Sequence, residues 1–199
     1  MKKLATIVDY GLGNIVSAQQ SFLKVVQDNS LDIDVIISHD PEKIKSSSYI
    51  VLPGQGAFQS CMDGLNNIDG MVDVLEQCVL KNKVPFLGIC LGAQILVKYL
   101  GCKVEKNPKE FSEIGFYKIQ PTENGIKMFQ SQDVFYQFHT EGFELPSGCE
   151  LLAKGDIFTN QAFRYKNCYG LQFHPEVNIY LHLKWLFLIK TKKSHFKCK

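Results

Sequence analysis

The sequence lacks any marked excess of charge. Its 22 lysine and arginine residues nearly balance its 20 aspartate and glutamate residues, leaving a formal net charge of +2. A domain that binds nucleic acid usually carries a strongly basic surface, so this balance indicates no nucleic-acid partner. Most of the small excess lies at residues 190–199, where five lysines predict a basic, frayed tail.

Long apolar runs are missing as well. The first run, residues 4–8, is interrupted by Asp9, which makes it too short for a signal-peptide core or a membrane span. The seven cysteines are odd in number and include no Cys-x-x-Cys pair, a pattern typical of chains kept in a reducing compartment. We therefore expect a soluble, cytoplasmic protein with no membrane segment and no metal site.

Nucleotide-binding fingerprints are incomplete. The turn at residues 11–14 (Gly-Leu-Gly-Asn) follows the first apolar run, but it has neither the third glycine of a dinucleotide fingerprint nor the lysine of a P-loop. We expect no cofactor.

Short β-branched runs alternate with helical patterns in the first half, and this alternation predicts an α/β fold with an open, mostly parallel sheet flanked by helices. Repeats and linkers are absent and 45% of residues are hydrophobic, so we expect one domain over residues 1–199. The predicted strands are 4–8, 35–37, 49–52, 84–89, 115–119, 134–138, 149–152, 161–165 and 169–173. The predicted helices are 15–27, 71–80, 91–100 and 179–189.

A candidate nucleophile stands where a buried strand runs directly into a helix. Cys90 has glycines two residues to either side, Gly88 and Gly92, as in the G-x-nucleophile-x-G elbow of hydrolases. Glycine permits the close backbone approach that so sharp a turn needs. The helix N-terminus also favours a thiolate over a thiol. A small core cysteine would explain the residue, but it would not explain the paired glycines.

A candidate base and its orienting carboxylate follow a later strand. His174 and Glu176 are two residues apart in an extended segment, so they face the same side, and Pro175 stiffens the chain between them. A carboxylate on one imidazole nitrogen leaves the other free to take a proton from a thiol. Taken alone, His-Pro-Glu is more often a surface turn. Together with Cys90, it completes a nucleophile, a base and an orienting group.

A candidate oxyanion site follows the strand predicted at 49–52. Gly54 and Gly56 bracket Gln55, which allows a backbone N–H to turn toward a ligand. Hydrolases need such donors, because removing one costs on the order of 100- to 1,000-fold in rate. A tight turn with no catalytic role explains the same pattern.

These segments together resemble the class I, or triad, glutamine amidotransferases. The similar motifs are residues 88–94 (Gly-Ile-Cys-Leu-Gly-Ala-Gln), 173–176 (Phe-His-Pro-Glu) and 53–56 (Pro-Gly-Gln-Gly). The resemblance implies a flavodoxin-like sandwich and hydrolysis of glutamine to glutamate and ammonia through a thioester on Cys90. It implies that His174 protonates the departing ammonia and then activates water.

The resemblance also assigns the remaining site residues. It implies that backbone N–H groups of Gly54, Gln55, Gly56 and Leu91 hold the oxyanion, and that Gln94 contacts the substrate. Residues 138–141 (Phe-His-Thr-Glu) match the strand whose backbone grips the amino-acid end of glutamine. His139, Thr140 and Glu141 are therefore candidate substrate-binding residues, with the His139 side chain structural.

Two branches of the family share the resemblance. The N-terminal half is similar to the glutaminase subunit of imidazole glycerol phosphate synthase at residues 9–14, 53–58 and 61–96. The C-terminal half is closer to GMP-synthase-related glutaminase domains at residues 113–116, 136–146, 161–164 and Trp185. The chain lacks the Pro-His-Met-Gly-Trp-Asn stretch of the first branch and has Val177 where that branch has a lysine.

The resemblance implies a glutaminase of histidine biosynthesis that passes ammonia to a separate synthase, the cyclase subunit. A GMP-synthase-related or stand-alone amidotransferase is one alternative. A cysteine peptidase or other thiol hydrolase of the same sandwich is a second, although Gln94 and residues 53–56 argue against it. A partner subunit that retains the triad without using it is a third.

Overall fold

The computed structural model describes residues 2–177. The helix predicted at 179–189, Trp185 and the tail at 190–199 lie outside the described residues. The strands are β1 (Lys3–Val8), β2 (Ile33–Ser38), β3 (Tyr49–Gly54), β4 (Phe86–Cys90), β5 (Val104–Lys106), β6 (Glu113–Lys118), β7 (Gln120–Pro121), β8 (Val134–His139), β9 (Glu141–Phe143), β10 (Glu150–Lys154), β11 (Asn160–Tyr165) and β12 (Cys168–Leu171). The helices are α1 (Ile15–Asp28), α2 (Pro41–Lys45), α3 (Phe58–Asn66), α4 (Met71–Leu75), α5 (Leu91–Tyr99) and α6 (Ile126–Phe129).

Eight strands form one sheet in the order β2-β1-β3-β4-β12-β11-β10-β7. The first five run parallel to one another, and the last three extend the sheet through antiparallel pairs. β1, β3 and β4 are buried along most of their length, as parallel strands covered on both faces are. The predicted open, mostly parallel α/β sheet is confirmed.

Most predicted elements differ from the observed ones by one or two residues at an end, and two of these differences have a structural cause. The sequence predicts that the last sheet strand reaches residue 173, but it ends at Leu171, which lies opposite Ile89 in β4. β4 ends one residue later at Cys90, so the chain beyond Gln172 has no parallel neighbour. The helix predicted at 71–80 begins as α4 and continues as a π-helical segment, Glu76–Lys81, whose wider turns a period of 3.6 residues does not reveal.

Several short elements have no counterpart among the predicted ones. β5 pairs with β9 outside the large sheet, and α2, α3, α6 and β7 lie in segments predicted to be connections. A second small ladder joins β6 to β8. The His174 backbone N–H donates to the Tyr136 carbonyl of β8 over 2.8 Å, so this ladder abuts the segment that carries the candidate base. None of the helices within residues 2–177 is long and apolar enough to span a membrane.

The described residues form two hydrophobic clusters. The larger packs the parallel strands against the helices and contains Cys90. The smaller surrounds Phe173, whose ring stacks on Phe135 at 4.3 Å between centroids and meets Phe129 edge-on at 5.8 Å. Burying a phenylalanine of this kind stabilises a fold by roughly 1.5–3 kcal/mol. The smaller cluster therefore fixes the residue immediately before His174.

Helix α5 lies unusually close to strand β3. A Cβ atom built on Gly92 would stand 1.8 Å from the Leu52 carbonyl oxygen, and one on Gly88 would stand 2.6 Å from Gly92 backbone atoms. No side chain fits in either place without displacing backbone. The two glycines that flank Cys90 thus let the strand turn into the helix directly beside the neighbouring strand.

Gly92→Ala is expected to lower the free energy of unfolding by about 3 kcal/mol or more, because backbone must move to admit the methyl group. Gly70→Ala is the control. Gly70 needs a left-handed backbone, with φ of +73°, but nothing lies within 4 Å of its added Cβ, so its cost should stay near 1–2 kcal/mol. Urea unfolding of both variants provides the measurement, and equal losses would contradict this account of Gly92.

Candidate active site

Three chain segments meet at the carboxyl end of β4. The parallel registers pair Gly54 of β3 with Cys90 on one side, and Leu171 of β12 with Ile89 on the other. The oxyanion candidate therefore begins on one side of Cys90, and the His174 segment begins on the other. Ligands of open α/β sheets bind at this edge, where the strands end and the connections diverge.

Cys90 occupies a strained backbone conformation. Its φ of 53° and ψ of −108° lie outside the regions that residues with a Cβ normally adopt, and such positions cost about 1–3 kcal/mol and cluster at functional sites. The side chain is 1% exposed, and the residue caps the N-terminus of α5. Free backbone N–H groups there favour a negative charge. The geometry is that of the predicted nucleophile elbow.

His174 and Glu176 form the predicted pair. The Nδ1 atom of His174 lies 2.8 Å from Oε1 of Glu176, and both side chains are almost fully buried. The other ring nitrogen, Nε2, is buried on the side of Cys90. Because the carboxylate accepts from Nδ1, it sets the ring orientation and leaves Nε2 available for proton transfer.

The candidate oxyanion segment is held in place by the side chain of Tyr10, to which the sequence analysis gave no role. The Tyr10 hydroxyl donates to the Pro53 carbonyl over 2.7 Å, and burial raises the pKa of Tyr10 far above its ordinary range. Gly54 is buried, and a Cβ there would stand 2.6 Å from Leu91 Cβ and 2.8 Å from the Tyr10 hydroxyl. The close approach of Gly54 brings the candidate oxyanion segment against Leu91, the first residue of α5.

The rest of that segment, Gln55 and Gly56, is less buried. Gln55 is half-buried, while Gly56 is exposed at the surface and has a φ of +116°. A positive φ of this size favours glycine strongly. The structure thus brings Gly54, Gln55 and Gly56 to the same edge of the sheet as Leu91.

Gln94 lies one turn into α5 with its amide fully buried. Its Nε2 donates to the Glu141 backbone carbonyl over 3.0 Å and to Oε1 of Gln172 over 3.1 Å. Its Oε1 has no hydrogen-bond partner among residues 2–177. A buried acceptor left without a donor is costly, so this oxygen is suited to receive an N–H group from a bound ligand.

The residues predicted to grip the substrate lie beyond Gln94. His139 is buried, with Nδ1 2.9 Å from the Glu141 carbonyl oxygen and Nε2 3.0 Å from Oε2 of Glu113. Thr140 is exposed between them, and Glu141 is half-buried. The His139 side chain thus supports the Glu141 backbone from behind, as a structural histidine does.

Three further buried polar residues, Glu113, Gln137 and Gln161, lie in segments that carry the family resemblance, but the sequence analysis gave them no role. Gln137 donates to Oε1 of Gln161 over 2.7 Å, and Gln161 donates to Oε2 of Glu113 over 2.8 Å. The available signal was an inverted alternation in β6 and β8. Glu113, Gln137 and His139 face inward, whereas Ile114, Phe116 and Phe138 are exposed.

Gln172 was also missed, although a lone glutamine between apolar Leu171 and Phe173 is a visible anomaly in a buried strand. It is fully buried, and its Nε2 lies 3.8 Å from the Cys90 sulfur. The site therefore contains a polar side chain that contacts the candidate nucleophile and belongs to none of the predicted roles.

Sequence comparison agrees with this geometry. A model of the family described as glutamine amidotransferase class-I matches residues 7–189. The chain belongs to the class I glutamine amidotransferases.

This class I glutamine amidotransferase has relatives named imidazole glycerol phosphate synthase subunit HisH. The protein of that name from Pelagibacter ubique (strain HTCC1062) is 34% identical, over 90% of this chain and 95% of its own length. The one from Bdellovibrio bacteriovorus (strain ATCC 15356 / DSM 50701 / NCIMB 9529 / HD100) is also 34% identical, over 85% of this chain and 91% of its own.

Solved structures share the fold. A glutamine amidotransferase from Thermotoga maritima superposes with a TM-score of 0.73 at 24% identity, over 100% of this chain and 87% of that one. A putative GMP synthase protein from Thermoplasma acidophilum superposes with a TM-score of 0.69 at 21% identity, over 100% and 99% of the two chains. Both confirm the predicted sandwich.

The charge on His174 depends on its two neighbours in this amidotransferase. Burial opposes a positive ring, but the negative charges of the Cys90 thiolate and the Glu176 carboxylate outweigh it and raise the pKa of His174 from 6.5 to about 10. A basic group whose pKa rises on folding stabilises the folded state. This stabilisation is complete at pH values below the pKa of the group in the unfolded chain, and it is lost as the pH rises through the pKa in the folded protein. The charged form of the His174 ring is thus favoured at neutral pH.

Cys90→Ser is expected to lower the pKa of His174, because the serine hydroxyl carries no charge in place of the thiolate. The midpoint should move from about 10 to a markedly lower pH, as measured by NMR titration of the labelled imidazole. Cys61→Ser is the matched control, since Cys61 is equally buried but is not among the groups that act on His174. An unchanged midpoint in Cys90→Ser would contradict the assignment.

Proposed function

We propose that this chain is the glutaminase subunit of an imidazole glycerol phosphate synthase, which releases ammonia from glutamine for a separate cyclase subunit in histidine biosynthesis. The observation that carries the chemistry is the strained elbow of Cys90 at the same sheet edge as the buried His174–Glu176 pair. The HisH relatives, which this chain matches over most of their length, support the pathway.

The reaction begins with attack of the Cys90 thiolate on the side-chain amide carbon of glutamine. A carbon–sulfur bond forms, and the carbonyl oxygen takes the negative charge. We assign that oxyanion to backbone N–H groups of Leu91 and of the segment Gly54 to Gly56, which lie beside the N-terminus of α5. His174 Nε2 then gives its proton to the nitrogen, and the carbon–nitrogen bond breaks to release ammonia.

Water completes the cycle. The neutral His174 ring takes a proton from water, whose oxygen attacks the thioester, and the carbon–sulfur bond breaks to give glutamate and the Cys90 thiolate. Glu176 keeps the ring in one tautomer while Nε2 changes its proton. The resting thiolate–imidazolium pair is thereby restored without a metal or a cofactor in the proposed steps.

The rest of glutamine is held by the groups beyond Cys90. We assign the unpaired Oε1 of Gln94 to an N–H group of the substrate. The backbone of Thr140 and Glu141 is assigned to its amino-acid end, with the His139 ring bracing the Glu141 carbonyl. The proposal treats residues 1–199 as one such glutaminase domain in the cytoplasm, with the six described cysteines free.

Cys90→Ser is expected to reduce glutamate release from glutamine by at least roughly 1,000-fold, since removing a nucleophile disables the whole triad. The assay supplies the cyclase subunit of the same organism, so that partner-dependent activity is detected. Cys102→Ser, at a half-buried cysteine outside the site, should retain activity. Equal turnover by wild type and Cys90→Ser would refute the thioester mechanism, and a folded wild type without turnover would indicate a silent partner subunit.

The ammonia acceptor is tested separately. With glutamine as the only nitrogen source, the wild-type chain plus its cyclase subunit should form imidazole glycerol phosphate, and each protein alone should not. The C-terminal half resembles GMP-synthase-related glutaminases, so a GMP-synthase-type amination domain is the comparison. Amination supported only by that second partner would overturn the histidine-pathway assignment and leave the glutaminase chemistry intact.

A further inference from the structure

Gln172 occupies the position beside Cys90 in the sheet. Leu171 is paired with Ile89, so the next residue of each chain segment, Gln172 and Cys90, stand next to one another. The Gln172 amide nitrogen lies 3.8 Å from the sulfur, a separation consistent with a hydrogen bond to the large sulfur atom, and the side chain is fully buried. In the proposed reaction this amide has no assigned role.

The orientation of the Gln172 amide follows from its neighbours. Oxygen and nitrogen of a glutamine are distinguished by their hydrogen bonds, and the chain of bonds here starts at the Glu141 carbonyl, which can only accept. Gln94 must therefore present Nε2 to that carbonyl, and the same nitrogen faces Gln172. Gln172 must therefore accept this hydrogen bond with its Oε1 atom, and its NH₂ group then points toward Cys90.

The far end of this chain of bonds is rigid. The Glu141 carbonyl also lies 2.9 Å from Nδ1 of His139, whose Nε2 is 3.0 Å from the buried Glu113 carboxylate. Both side chains are almost fully buried. The carbonyl that orients Gln94 and Gln172 is thus itself held in place, so the donor aimed at Cys90 is preorganised.

Other ionisable groups interact with the charge on Cys90. Among the described residues they include His174 after β12, Tyr10 after β1 and Cys61 of α3. Burial raises the pKa values of Tyr10 and Cys61, so both stay neutral near neutral pH. His174 carries a stabilising charge, but it surrenders that charge during the proposed cycle. The Gln172 amide does not titrate and keeps its dipole throughout.

We propose that Gln172 is a further catalytic residue of this site, whose side-chain amide donates to the Cys90 thiolate and stabilises the sulfur whenever it carries negative charge. Those moments are the resting state before attack and the collapse of the thioester. The inference rests on the proposed glutaminase function, to which it adds a thiolate donor outside the triad. The same amide also bonds to Gln94, the residue assigned to the substrate, and so links that residue to Cys90.

The test measures the thiolate directly, without glutamine or a partner. Gln172→Met removes the donor while nearly preserving side-chain volume. Iodoacetamide alkylation of the Cys90 peptide, followed by mass spectrometry over a range of pH, should be roughly 10- to 100-fold slower near neutral pH, as expected for one lost hydrogen bond to a charged group. The midpoint of the rate–pH profile should move to higher pH.

Gln19→Met is the control. Gln19 is a half-buried glutamine of α1, and its side-chain amide donates to the Val35 carbonyl over 3.4 Å. That bond involves neither Cys90 nor the chain of bonds from Glu113 to Gln172. The alkylation profile of this variant should match wild type. Equal slowing in both variants, or no slowing in Gln172→Met, would overturn the proposal.

Gln172→Asn decides the question where Gln172→Met fails to fold. It keeps a buried amide but shortens it by one methylene, so the amide no longer reaches both Gln94 and the sulfur, and alkylation should again be slower. Wild-type rates in this variant would count against the role. The two proposals fail differently, because loss of the glutaminase function appears as absent turnover in wild type, whereas loss of this inference appears only as an unchanged alkylation profile.

Discussion

The site depends on one backbone constraint, the turn from β4 into α5 within a single residue. That turn forces Cys90 to a positive φ and brings the helix so close to β3 that Gly92 has no room for a Cβ beside the Leu52 carbonyl. The same closeness places free N–H groups of α5 next to the end of β3. The candidate nucleophile, the helix N-terminus and the candidate oxyanion segment are therefore brought together by one turn.

The second organising feature is the run of buried amides that starts at Cys90. Gln172, Gln94 and the Glu141 carbonyl form consecutive hydrogen bonds, and His139 and Glu113 complete the run on the far side. Buried polar groups of this kind stabilise one arrangement of a site because each leaves a neighbour unsatisfied if it moves. Cys90 and the segment from His139 to Glu141 are thus positioned by the same set of contacts.

The predictable parts of the molecule are those with strong local signals. The glycines around Cys90 predicted the elbow, and alternation of β-branched runs and helices predicted the parallel strands. The His174–Glu176 pair followed from spacing, although only the fold brings it to Cys90. The roles of Tyr10, Gln172 and Glu113 were missed because their partners are distant in sequence. The local signals, a glutamine between apolar residues and an inverted alternation in β6, mark Gln172 and Glu113 as unusual but do not identify what they contact. The short strands and the π-helical segment carry too few residues for a period to be recognised.

The residues of the candidate triad are supported by two different hydrophobic clusters. Cys90 belongs to the large cluster that holds the sheet and helices together, whereas His174 follows Phe173 of the small aromatic cluster. Errors in the two clusters should therefore have different phenotypes. A defect in the large cluster should unfold the sheet and its helices, whereas a defect beside Phe173 should displace the His174 segment and leave the parallel strands folded.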